Sequence, residues 1–101
     1  MFGLKSLFGP KNNFKSLVQR GAVIVDVRGA TEIAGGHIAC AKNISLELIP
    51  LNIKELKKLN TAIITCCRSG ARSAIASRIL KKAGIDAYNG GAWELLQKQL
   101  S

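Results

Sequence analysis

Aromatic side chains are scarce in this chain: one Trp, one Tyr and three Phe among 101 residues. No run of basic residues is interleaved with them, so the stacking platform used to hold single-stranded nucleic acid is missing, and nucleic acid is not an expected partner. Histidine occurs once, as His37, and the three cysteines have no metal-ligand spacing, Cys66 and Cys67 being adjacent and Cys40 remote. No metal site is expected. Three cysteines in a small chain with no visible export signal also argue against a disulfide framework. Acidic residues are few, 6 against 15 Lys and Arg, for a net charge of +9. That excess is compatible with attraction of small anions, with an acidic partner, or with a merely solvated face. A long apolar run is also lacking. The start, Met1 to Pro10, is interrupted by Lys5, Gly9 and Pro10 and is too short for a signal sequence or a membrane span. Residues 1–11 are expected to form a loosely packed amino-terminal segment, with Leu4, Leu7 and Phe8 on one stripe, and the protein to be cytoplasmic.

What is present fits one ordinary globular domain, here residues 12–101, large enough to bury a core without disulfide staples. Hydrophobic residues make up 48% of the chain and charged residues 21%. Asn12 or Asn13 can cap a short helix carrying Phe14, Leu17 and Val18, stopped by Gly21. Ala22 to Val27 is nearly all apolar and β-branched, as expected of a strand covered on both faces. A turn or two of helix lies between Gly29 and Gly36, and His37 to Ile44 reads as a weaker strand. Ser45 can cap a helical stretch from Leu46 to Asn60 that Pro50 must break, with Leu51, Leu56 and Leu59 pointing inward. Thr61 to Cys66 predicts a third strand, and Arg72 to Ala83 a helix closed by Gly84. Ile85 to Tyr88 predicts a short strand, Asn89-Gly90-Gly91 a turn, and Ala92 to Gln99 a last helix. Strands alternate with helices, which implies an α/β fold with a mostly parallel sheet and helices on both sides.

Chemistry concentrates in Cys67-Arg68-Ser69-Gly70-Ala71-Arg72-Ser73. A thiol where a buried strand ends and a helix begins meets converging backbone N–H groups that favour negative charge. It also lies beyond the carboxyl end of a strand, where ligands bind in such sheets. Gly70 permits a main-chain bend that a side chain would hinder, and successive N–H groups can then form an anion-binding nest. Ser69 and Ser73 can add hydroxyl donors, and Arg68 and Arg72 can hold an oxyanion over the sulfur. Cys67 is thus expected to be an acidic, nucleophilic thiolate. Cys66 continues the strand and is the better candidate for the core. Arg28 and Glu32, four apart, can pair on a helix surface.

This loop, together with Asp26-Val27-Arg28, Glu32, Gly36-His37-Ile38-Ala39-Cys40-Ala41-Lys42-Asn43-Ile44 and Asn89-Gly90-Gly91-Ala92-Trp93, resembles the single-domain rhodanese family from about residue 12 to the end. The resemblance implies a five-stranded, mostly parallel sheet flanked by helices. It implies a sulfurtransferase that carries a persulfide on Cys67, with Arg68, Ser69, Gly70, Ala71, Arg72 and Ser73 as the substrate cradle and no cofactor. The donor would be thiosulfate or another persulfide, and the acceptor cyanide, a thiol or a protein. Departures exist: Cys40 stands where the family usually has glycine, Ser45 where proline is frequent, and Ile33 where an aromatic is common. Cys40 is expected to be a small buried side chain, His37 to be structural and Trp93 to lie in the core. Two other readings remain. Resemblance to a cysteine phosphatase or arsenate reductase would require five residues between cysteine and arginine, and only four separate Cys67 from Arg72. A sulfur-carrying or sensing module would dock on a protein partner and turn over small donors poorly.

Overall fold

The computed structural model describes residues 13–101. The expectation for residues 1–11 lies outside them. The element order is α1 (Phe14–Gln19), β1 (Val23–Asp26), α2 (Ala30–Ile33), β2 (Lys42–Asn43), a 3-10 stretch (Leu46–Asn52), α3 (Ile53–Lys58), β3 (Ile63–Cys67), α4 (Ala71–Lys82), β4 (Ala87–Ala92) and α5 (Trp93–Leu100). The four strands form one all-parallel sheet in the order β2-β1-β3-β4. The expected count of five is corrected to four among the described residues.

The physical basis of the layers is the two-residue period of a strand. Along β1 and β3, Val25, Ile63 and Cys67 join one core with Val27, Ile49, Leu56, Ala76 and Leu80. Their neighbours Ile24, Ile64 and Cys66 point the other way and pack with Phe14, Ile38 and Leu96. Each face is thus closed by helices, α3 and α4 on the first and α1 and α5 on the second. All five residues of β3 are buried, and Ile63 and Ile64 are fully so. Each such side chain contributes about 1.5–3 kcal/mol relative to exposure.

Several boundaries differ from the sequence expectation for identifiable reasons. The anticipated strand from His37 to Ile44 shrinks to Lys42–Asn43, an exposed edge pair. Pro50 sits within the 3-10 stretch, which hands over to α3 at Ile53. Of the three expected leucines only Leu56, in α3, turns inward, whereas Leu51 in the 3-10 stretch is 78% exposed and Leu59, at the end of α3, 40%. Asn13 is the cap of α1, its side chain accepting the Ser16 N–H at 3.0 Å. Asn89-Gly90-Gly91 is part of β4 and not a separate turn. The ladder slips there, with Thr65 opposite Asn89 but Cys67 opposite Ala92, so β4 bulges by one residue. Glycine suits the bulge, since a Cβ on Gly90 would lie 2.8 Å from both Ile64 Cγ2 and the Thr65 carbonyl oxygen and would force a shift.

Candidate active site around Cys67

Cys67 is the last residue of β3, and α4 begins at Ala71, so the bend between them is three residues long. Gly70 makes that bend possible with φ +105°, in the left-handed region that glycine tolerates best. The bend folds back over the sulfur. Gly70 N–H donates to Cys67 Sγ at 3.0 Å, Ser73 N–H at 3.4 Å, and Ser73 Oγ lies 3.3 Å away. The sequence expectation ended the strand at Cys66 and put this cysteine at the start of the loop, yet it is the strand's last residue and only 1% exposed. It belongs to the strand, and the loop is its roof.

Burial pushes the Cys67 thiol toward the neutral form, but the Ser73 hydroxyl and the N–H groups of Ser73, Gly70 and Ser69 outweigh it, leaving the pKa below the ordinary thiol value. Cys66 is the control written into the same strand. It faces the other core without such donors, and desolvation, reinforced by Asp26, pushes its thiol up to about 12. One residue of register thus separates an acidified thiol from an inert one.

The arginines do not act alike. Arg72, on the first turn of α4, is tied to Glu32 by a bidentate pair, Nη1 to Oε1 at 2.7 Å and Nη2 to Oε2 at 2.9 Å. Glu32 also accepts the Gly29 N–H at 3.0 Å. These bonds, the arginine first, lower its pKa to about 2. The expected Arg28–Glu32 pair is therefore not formed. Arg28 turns inward instead, donating from Nη2 to Asp26 Oδ2 at 2.7 Å and from Nε to both oxygens at 3.0 and 3.1 Å. Its guanidinium also donates to the Gly36 carbonyl at 2.8 Å and stacks 4.9 Å from the Trp93 ring centroid. Arg28 and Asp26 are 5% and 1% exposed, a buried ion pair that the sequence reading missed. The Asp-Val-Arg alternation was its only signal, since it sets both side chains on one side of the chain.

Arg68 is exposed and has no ion-pair partner among the described residues. It lines a cleft of about 300 Å³ with Arg28, Glu32, Gly36, Trp93 and Glu94. A slightly larger cleft of about 330 Å³, around Leu56, Asn60 and Asp86, lies at the opposite end of the sheet, away from the sulfur. Ser69 is exposed on the bend and Ala71 at the start of α4, whereas Ser73 is fully buried beneath the bend. Cys40, expected to be buried, is exposed. His37 is exposed too, its Nδ1 3.1 Å from the Ile33 carbonyl, and Trp93 is half-buried against Gly36. No described helix is long and apolar enough to cross a membrane, and no cluster of His, Cys, Asp and Glu among the described residues has the makings of a metal site.

A family model for the rhodanese-like domain matches residues 11–96. A curated protein named sulfurtransferase from Allochromatium vinosum is 39% identical over 75 residues, covering 69% of each chain. The crystal structure of a rhodanese-like domain protein from Staphylococcus aureus superposes with a TM-score of 0.71 at 36% identity, over 83% of this chain and 81% of that one. A human single-domain sulfurtransferase gives 0.63 at 25% identity, over 84% and 90%. The all-parallel sheet, the helix-capped thiol and these matches together place the chain in the rhodanese-like domain family, with a sulfurtransferase-family role.

Proposed function

We propose that the protein moves sulfane sulfur from thiosulfate or a persulfide donor to a thiophilic acceptor through a persulfide on Cys67. The observation that carries this reading is the convergence of Gly70 N–H, Ser73 N–H and the Ser73 hydroxyl on one sulfur. The two backbone N–H groups among them are fixed and stabilise charge on that sulfur without reorganising. The Cys67 thiolate attacks the outer sulfur of thiosulfate. A new S–S bond forms, the donor's S–S bond breaks, and sulfite leaves with the bonding pair. Cyanide or a thiolate then takes the outer sulfur and returns Cys67 to the thiolate. No cofactor takes part in either step.

Within the cradle of Arg68, Ser69, Gly70, Ala71, Arg72 and Ser73, the two arginines divide the work. Arg72 is already neutralised by Glu32 and fixes the start of α4. Arg68 retains its charge for the departing anion. Thiosulfate should add one sulfur atom to the intact mass, and Cys67→Ser should abolish the gain. An unchanged wild-type mass with every donor tried refutes the reading.

The 1% exposure of Cys67 favours a second reading. A roofed thiol suits a carrier that receives sulfur from a docked protein and exchanges slowly with small donors. A persulfide that forms only when a protein donor is supplied would select the carrier over the thiosulfate enzyme.

A further inference from the structure

The hydroxyl of Ser73 has one hydrogen and three claimants. Asn89 Oδ1 lies 2.6 Å away, the Gly70 carbonyl 3.2 Å and Cys67 Sγ 3.3 Å. The orientation of the Asn89 amide follows from its other contacts. Gly91 N–H can only donate, and it reaches the same Oδ1 at 2.9 Å, while Nδ2 donates to the Gly70 carbonyl at 3.3 Å. Ser73 Oγ therefore faces an oxygen that can only accept. Two oxygens 2.6 Å apart require a hydrogen between them. That hydrogen cannot point at the sulfur at the same time.

We propose that Asn89 is a positioning residue that holds the Ser73 hydrogen away from Cys67 in the thiol form and yields it only when the thiolate develops. This rests on Cys67 being the reacting group. With the hydrogen on the Asn89 side, Ser73 Oγ turns a lone pair to the sulfur and can accept from its S–H. Loss of the thiol proton would leave two electron-rich atoms face to face, so the hydroxyl must rotate, breaking its short bond to Asn89. Asn89 therefore opposes ionisation while the Ser73 and Gly70 N–H groups favour it. Once the outer sulfur is bound, Sγ is neutral again and the hydroxyl returns to Asn89. The β4 bulge makes this possible, because the Gly91 N–H curls back onto the side chain two residues before it. Thr65, opposite Asn89 in the ladder, anchors the other end by donating to the Ser73 carbonyl at 2.8 Å.

The charges near the sulfur come from elsewhere. Arg68 stands on the bend, Arg72 on α4 is bound to Glu32, Cys66 lies behind on β3, and the Asp26–Arg28 pair extends from β1. From β4 the only other titratable side chain is Tyr88, which packs in the opposite core. All are constant in a cycle of Asn89 and Ser73 variants.

The test is the pH midpoint of Cys67 alkylation, measured by peptide mass spectrometry with no sulfur donor present, so that it is read independently of sulfur transfer. Asn89→Ala should lower the midpoint by about 0.5–1 unit, the worth of one neutral hydrogen bond. Ser73→Ala should raise it, and Asn89→Ala should then cause no further shift. Should Asn89→Ala fail to fold, Asn89→Asp runs the same cycle, raising the midpoint more with Ser73 present than without it. A midpoint that rises or stays put in Asn89→Ala overturns the proposal. So does a shift of equal size in the presence and absence of the Ser73 hydroxyl, by either variant.

Discussion

Replacing Asp26 by Ala strips the carboxylate from a guanidinium that is only 5% exposed. Four hydrogen bonds vanish: three from the Arg28 side chain at 2.7, 3.0 and 3.1 Å, and one from its backbone N–H at 3.0 Å. The Gly36 carbonyl and the Trp93 face remain, and neither supplies a counter-charge. Leaving one partner of a buried pair alone costs about 3–5 kcal/mol. A domain of this size is stable by roughly 5–15 kcal/mol, so the loss is a large share of the whole. At roughly 4–8 °C per kcal/mol, the melting temperature should fall by about 12 °C or more. Urea unfolding followed by the fluorescence of Trp93, the only tryptophan, reads the same change directly. A companion variant, Asp26→Leu with Arg28→Met, removes both charges and should recover most of the loss, because an apolar pair needs no desolvation. A single-variant loss below about 1 kcal/mol would refute the claim that this pair is buried and structural.

Gly90→Ala should destabilise by about 1–3 kcal/mol in urea titration, since its Cβ meets the Thr65 carbonyl, which cannot swing aside; a neutral result would show that the bulge relaxes freely. Glu32 has its folded pKa lowered to about 2 from 4.5, so the stability it lends is present above about pH 4.5 and fades as pH falls toward 2. Glu32→Gln should therefore flatten the acid limb of the stability–pH curve in that window, and an unchanged limb would exclude the role. Under mild alkylation near pH 8, exposed Cys40 and the acidified Cys67 should react while Cys66, with its thiol near 12, stays intact. Because Cys67 is roofed, changing from a small to a bulky reagent should slow it far more than Cys40, and equal slowing would place the sulfur in the open.

The fold was legible wherever periodicity was strong. The β-branched runs at Val23–Asp26 and Ile63–Cys67 are the two central strands, and the glycines at 21 and 84 follow the helices they were expected to end. The strand–bend–helix setting of Cys67 was legible too, because Gly70 and the residue types around it permit few other conformations. Partner choice was not. Arg28 and Glu32 have good helical spacing, but Arg28 lies before the helix and turns inward, freeing Glu32 to meet Arg72 forty residues away. Nothing local encodes such a contact. Asn89-Gly90-Gly91 carries a strong turn signal, and the tertiary ladder overrides it by absorbing the extra residue as a bulge. Cys40 was read through the smallness of the family's usual residue there, whereas its exposure depends on how a short irregular segment lies across the surface.

The alternation that sends Cys66 and Cys67 to opposite sides of the sheet has a consequence for oxidative stress. A sulfenic acid formed on Cys67 finds no resolving thiol in its immediate neighbour, whose side chain is walled off by the strand itself. Repair of the oxidised form cannot then come from Cys66. A Cys66–Cys67 disulfide is accordingly not an expected product of oxidation, adjacent though the two residues are in the chain.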